Sequence, residues 1–175
     1  MINEFDNLIK KASSCSKSGD YEVALEICSR LLDEYPERIK EILRARSHIN
    51  AHRHHICEAL EDRKKILNAN EGDVQDYYFA GHFALQETLW RDAEKYFMDA
   101  LSLLKEQNSC KYKQDSQFLL AYCLLKAGKE SEAREICSKL DDSFEVWVET
   151  EPTGFLTVRN LKQMIDNKIE GAELD

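Results

Sequence analysis

An alanine recurs at Ala24, Ala59, Ala93 and Ala133, each inside a segment that resembles the other three: SGDYEVALEICSRLLDEYP, HHICEALEDRKKILNANE, TLWRDAEKYFMDALSLLK and AGKESEAREICSKLDD. The spacings are 35, 34 and 40 residues. Seven or eight residues after each alanine comes an apolar pair or its equivalent: Leu31-Leu32, Ile66-Leu67, Ala100-Leu101, and Leu140 alone. A period of this length marks a stacked repeat whose units cannot bury their apolar faces alone.

A second helical pattern lies upstream of each alanine. Leu8-Ala12-Cys15, Leu43-Ser47-Asn50, Tyr77-Gly81-Ala84 and Gln117-Ala121-Leu124 fall at i, i+4, i+7, the spacing of one helix face. The unit is therefore helix, short turn, helix. Composition agrees: two prolines and six glycines in 175 residues leave little room for a turn-rich sandwich, and 43% hydrophobic with 33% charged residues is globular. Gly19-Asp20-Tyr21 and Gly128-Lys129-Glu130 form turns inside a unit, because Gly ends a helix without strain. Pro36 closes the first unit.

These residues resemble the tetratricopeptide repeat family. Ala12, Gly81 and Ala121 take the small positions of the first helix, the four alanines those of the second, and Cys28, Phe97 and Cys137 the larger groups that follow. The second unit departs from the pattern at Ser47, Arg63 and Glu71, and His54 stands where the turn glycine is usual. The resemblance implies an all-α, right-handed α-solenoid of helix pairs. The units run at about 5–38, 40–73, 74–107 and 114–141, making an array over 1–140 with a capping segment over 141–175. EQNSCKYKQD, between units three and four, either lengthens the flanking helices or forms an exposed loop. In the capping segment, Phe144, Val146 and Val148 alternate with Glu145, Trp147 and Glu149 as in a short strand. Thr157 then caps a last helix with Leu161, Met164, Ile165 and Ile169 on one face, and GAELD frays.

Four of the five histidines, His48, His52, His54 and His55, crowd into eight residues. His48 and His52 have the i, i+4 spacing that can hold a metal. No acid or thiol sits at a matching step, however, and Arg46 and Arg53 would repel a cation, so a solvated or partner-facing surface is favoured over a metal or pH sensor. Cys57 follows His55 by two residues, and such neighbours on a helix point apart, which argues against a thiol catalyst. The six cysteines form no C-x-x-C pair and read as reduced, buried thiols. There is no glycine-rich phosphate loop, H-E-x-x-H or G-x-S-x-G, and a non-enzymatic protein without cofactor or metal is expected.

The start MINEFDNLIKKA lacks the apolar run of a signal peptide, and FLLAYCLL at Phe118 is too short to span a membrane, so a cytoplasmic protein without a membrane partner is expected. A net charge of −9 argues against direct nucleic-acid binding. That charge is uneven, with +4 over residues 38–65 and −13 over the rest.

In the family, first helices line a concave partner-binding groove. By resemblance its steps are Ile9, Ser13 and Lys17; Arg44, His48 and His52; Tyr78, His82 and Leu85; and Phe118, Tyr122 and Lys126. Arg44, His48, His52, Tyr78, His82, Phe118 and Tyr122 are the candidate partner-binding residues, since Arg and aromatic groups suit recognition surfaces. His48 and His82 hold equivalent steps of adjacent units. Phe118 and Tyr78 could instead be core residues, and SFEVWV could fold back to occupy the groove itself. The expected function is binding a cognate protein partner, as an immunity (toxin-neutralising) protein facing a basic toxin, or as a secretion chaperone for an effector. The alternative is a scaffold or co-chaperone adaptor for peptide tails. Its usual basic clamp is represented only by Lys17, Arg44 and Lys126.

Overall fold

The computed structural model describes residues 4–107, 112–152 and 154–172; residues 108–111 of the linker, Cys110 among them, and the last three residues of GAELD lie outside these. The chain divides into two compact units, Met1–Gly72 and Asp73–Asp175. The first contains α1 (Glu4–Ser18), α2 (Tyr21–Glu34), a 3-10 turn at Pro36–Arg38, α3 (Ile39–His52) and α4 (Ile56–Asn68). The second contains α5 (Val74–Gln86), α6 (Trp90–Gln107), α7 (Lys113–Lys126), α8 (Glu130–Cys137), strands β1 (Glu145–Trp147) and β2 (Phe155–Thr157), and α9 (Val158–Ala172). The fold class is the expected one, an all-α solenoid of helix pairs with two helix pairs in each unit. The capping segment from residue 141 lies within the second unit.

Each pair turns in the same way. Gly19, His54, Thr88 and Gly128 all take positive φ, at 89°, 62°, 57° and 77°. The next residue donates its N–H five residues back: Asp20 to Cys15 O, His55 to Asn50 O, Leu89 to Ala84 O and Lys129 to Leu124 O, all at 2.8–2.9 Å. This pattern satisfies the last carbonyls of the first helix and restarts the chain in the opposite direction. The recurrent alanine lies five residues beyond each turn residue, so the alanine spacing is the turn spacing. The left-handed region costs an L-residue about 1–2 kcal/mol, most for a β-branched one. Thr88→Gly is therefore expected to raise stability by about 1 kcal/mol, net of the entropy glycine loses on folding. His54→Gly should gain less. Urea melts read both, and a loss of stability in either would show that the side chain holds the turn.

The alanines mark where paired helices cross. Ala24, Ala59, Ala93 and Ala133 have no exposed surface, and Ala12, Ser47, Gly81 and Ala121 on the first helices are buried too. Four residues after each alanine stand Cys28, Arg63, Phe97 and Cys137, all fully buried. At the third crossing a Cβ on Gly81 would lie 2.8 Å from the Phe97 ring, inside van der Waals contact. Overpacking costs about 1–3 kcal/mol, against about 1 kcal/mol gained from replacing glycine inside a helix. Gly81→Ala should thus lower stability by about 1 kcal/mol. Phe97→Leu added to Gly81→Ala should recover part of that loss in thermal melts, which a purely backbone effect would not allow.

In the capping segment Val146 and Val148 are buried while Glu145, Trp147 and Glu149 are exposed. β1 and β2 pair antiparallel, with Trp147 opposite Phe155. The Thr157 hydroxyl accepts the Asn160 N–H at 3.1 Å and caps α9, whose Leu161 and Ile165 are fully buried. Arg134 pairs with Asp166, and Lys168 donates to the Leu125 carbonyl at 2.8 Å, so α9 closes the open end of the array.

Candidate functional site

The four clustered histidines perform four separate local tasks. His48 accepts a hydrogen bond at Nε2 from Arg63 Nη2, at 2.9 Å. Burial first, then the Arg63 charge, pushes its pKa down to about 4. His52 joins α3 to α1: its Nδ1 lies 2.8 Å from the buried Ser16 hydroxyl, and its carbonyl accepts from the Tyr21 hydroxyl at 3.1 Å. His54 supplies the left-handed turn, and His55 contacts the Glu58 carboxylate at 3.1 Å from the N-cap of α4. Among the described residues no three His, Cys, Asp or Glu side chains converge as a metal would require.

The departures at Ser47 and Arg63 belong to a polar layer between α3 and α4. Ser47, Asn50, Asp62 and Arg63 are all buried there. Arg46 grips Asp62 with two bonds, Nε to Oδ2 at 2.8 Å and Nη2 to Oδ1 at 2.6 Å, the paired geometry that makes Arg–carboxylate contacts strong. Arg44 is half-buried on α3.

In the second unit α5 and α7 present Tyr78, His82, Phe118, Tyr122 and Lys126. The chain's own segment 144–151 lies across them. Phe144 meets Phe118 edge to face, with ring centroids 6.3 Å apart. The Tyr122 hydroxyl donates to Glu151 Oε1 at 2.5 Å and lies 3.0 Å from the Thr150 hydroxyl, while Lys126 Nζ pairs with the same Glu151 oxygen at 3.1 Å. Burial pushes the Glu151 carboxyl up, but Tyr122 and Lys126 outweigh it and hold the group below its usual range. His82 accepts at Nδ1 from Gln86 Nε2 at 3.3 Å, leaving Nε2 directed at Glu149, 3.7 Å away. Burial lowers the His82 pKa despite that carboxylate. Tyr78 stacks on Tyr112 at 4.6 Å, and burial raises its phenol pKa.

The expected exposed groove contacts therefore need correction at two positions. Phe118 and Tyr122 have no exposed surface, because the C-terminal segment folds back over them. His82 and Tyr78 are half-buried, and His48 and His52 are each engaged within the first unit. His48 and His82 belong to different units. The expectation of buried cysteines holds for Cys28, Cys123 and Cys137, whereas Cys57 is exposed and Cys15 half-buried. Glu151, the residue best anchored on this face, had no sequence signal beyond lying in an acidic stretch. The i, i+4, i+7 spacing put Asn50 on the repeating face of its helix, but nothing marked it or Asp62 as part of a polar layer.

The family model for the tetratricopeptide repeat matches residues 115–144, which span α7 and α8. That segment is similar to a tetratricopeptide repeat, and the chain shares the fold of solved tetratricopeptide repeat proteins. It is similar to the solved structure of MamA protein, with 17% identity and a TM-score of 0.66 over 77% of this chain and 70% of that one. It is also similar to YrrB, described as a tetratricopeptide repeat protein with an unusual peptide-binding site. That likeness has 18% identity and a TM-score of 0.63, over 75% of this chain and 64% of that one. A tetratricopeptide repeat protein from Parabacteroides merdae shares 24% identity with a TM-score of 0.56, over 98% of this chain and 60% of that one. No curated protein matches the chain in sequence. Among the described residues no helix is long and apolar enough to cross a membrane.

Proposed function

We propose that this protein is a non-catalytic module dedicated to one cognate protein partner, either as an immunity protein that neutralises a basic toxin or as a secretion chaperone. Proteins of this repeat class mediate protein–protein interactions and are typically non-catalytic. The observation that carries the reading is the folded-back C-terminal segment. Residues 141–151 contain Asp141, Asp142, Glu145, Glu149 and Glu151 and no basic residue, in a chain of net charge −9. Tyr122, Lys126 and the buried Val146 and Val148 fix that acidic segment to a rigid scaffold. Electrostatic complementarity of this kind steers a basic partner and raises its on-rate. In the first unit Arg44, His48 and His52 complete the proposed contact residues, with Tyr78 and His82 in the second. Phe118 and Tyr122 contribute by holding the segment.

One observation favours a second reading, an adaptor for peptide tails. The α5–α7 face already holds a carboxylate, Glu151, between a tyrosine hydroxyl and a lysine. YrrB shows that a protein of this fold carries a peptide-binding site. Co-expression with the product of the adjacent reading frame tests the first reading. A one-to-one complex that survives gel filtration and weakens steeply with salt is expected. If no complex forms and short acidic C-terminal peptides bind saturably by calorimetry, the adaptor reading replaces it.

A further inference from the structure

The acidic C-terminal segment carries the partner reading, which leaves the basic stretch over residues 38–65, +4 in a chain of net charge −9, largely without a role. A pocket of about 410 Å³ opens against that stretch in the first unit, between α2, α3 and α4. Small-molecule sites are commonly about 300–1,000 Å³. Leu32, Ile39 and Ala69 form its apolar walls, and Leu43 and Ile66 close its floor. Ile39 is 45% exposed, so the apolar surface runs out to the mouth. Ile39, Leu43 and Arg46 fall at i, i+4, i+7 on α3, opposite the face of Arg44, His48 and His52.

Lys40, Arg46, Lys65 and Glu71 line the same pocket. At one end Lys40 Nζ donates to the Glu71 carbonyl, and the formal charges of these two residues offset. At the other end Arg46 and Lys65 flank Asp62, and two cations against one carboxylate leave a single positive charge. Arg46 gives Asp62 two of the five N–H donors of a guanidinium. Lys65 Nζ lies 3.6 Å from Asp62 Oδ1, too far for a hydrogen bond, so the ammonium can donate to water or to a ligand. An apolar cavity that ends in one positive charge matches a monoanion with an apolar tail. Arg46 and Ile39 are seven residues apart on α3, about 10 Å. An extended chain advances about 1.2 Å per bond, so a tail of about eight carbons reaches from one to the other.

We propose that this pocket binds a medium-chain fatty carboxylate, its head group between Arg46 and Lys65 and its tail along Leu32, Ile39 and Leu43. The inference is independent of the partner reading above, which concerns the acidic segment and the opposite side of α3. Octanoate is the probe, titrated into the full-length ¹⁵N-labelled protein. Saturable shifts centred on the amides of residues 39–46 and 65–71, with a submillimolar Kd, are expected. Each buried methylene is worth about fourfold in affinity, so butanoate, four methylenes shorter, should bind at least thirtyfold more weakly. Octan-1-ol keeps the tail without the charge and should bind at least tenfold more weakly than octanoate. Lys65→Gln and Ile39→Gln alter exposed side chains, and each should weaken octanoate at least fivefold without unfolding the chain. Shifts that are linear in concentration, equal affinity for the alcohol and the carboxylate, or unchanged affinity in either variant overturn the proposal. An acetylated tetrapeptide with a free C-terminal leucine that binds more tightly than octanoate overturns it in favour of a polypeptide terminus. The same shifts arising from self-association without ligand overturn it in favour of a second copy of this chain.

Discussion

Replacing Arg46 by methionine should destabilise the first unit by about 3–5 kcal/mol, the range for breaking a buried ion pair from one side. The Asp62 side chain is only 3% exposed, whereas Arg46 is 22% exposed, so the carboxylate is the partner that cannot escape to water. Lys65 lies 3.6 Å from Asp62 Oδ1, but its side chain is 58% exposed and its attraction is screened by solvent. It cannot replace two direct bonds. Arg46→Lys should fall between, because an ammonium cannot grip both carboxylate oxygens in the planar paired geometry. The double variant Arg46→Met with Asp62→Leu should come back to within about 1 kcal/mol of the parent, since a well-packed apolar pair often matches a buried ionic one. Urea unfolding followed by far-ultraviolet circular dichroism measures all three. A loss under 1 kcal/mol for Arg46→Met would mean that Asp62 finds water once its partner is gone.

The same polar layer shows where sequence reasoning reaches and where it stops. The repeat was legible because four alanines and the small residues opposite them are dictated by close helix crossing, which tolerates little else. The turns were legible at Gly19 and Gly128, where the residue type announces positive φ. At His54 and Thr88 the same backbone is enforced by packing on either side, against the residue's own preference, so only the repeat register could reveal it. Ser47 and Arg63 were visible as departures from the pattern, but their consequence was not. A large charged group at a crossing demands a buried partner, and Arg63 meets His48 on α3, while the neighbouring buried Asp62 is held by Arg46.

The fate of the α7 residues follows from a signal that was present in FLLAYCLL. An apolar run with no polar face belongs to a helix covered all round, and every residue from Phe118 to Leu125 is buried. Reading one face of α7 as an open groove requires that something else leave it open. The alternation in SFEVWVETE supplies the cover, with its valines turned in and its glutamates turned out or clamped at the edge.

Stability should fall on mild acidification, between pH 6.5 and about 4, and His48 should be a principal cause. Its folded pKa lies near 4, below the ordinary 6.5, because burial and the neighbouring Arg63 charge both oppose protonation. The unfolded chain therefore takes up the proton first. The neutral form's contribution is complete above pH 6.5 and is lost as pH falls through that window. One group of this kind loses about 1.4 kcal/mol per pH unit, or about 2 kcal/mol between pH 6.5 and 5. His82, lowered chiefly by burial, acts in the same direction in the second unit. Carboxylates held below their usual range, such as Glu151, begin to add to the loss as pH falls toward the ordinary carboxylate value of 4.5, so the change from pH 7 to 5 falls chiefly to the histidines. His48→Gln keeps an acceptor for Arg63 Nη2 but cannot take a proton. Unfolding free energies of the parent at pH 7, 6 and 5 should slope downward, and the His48→Gln slope should be about half as steep, with His82→Gln accounting for much of the remainder. Parallel slopes for parent and His48→Gln would show that Arg63 swings away and lets His48 titrate as it does in water.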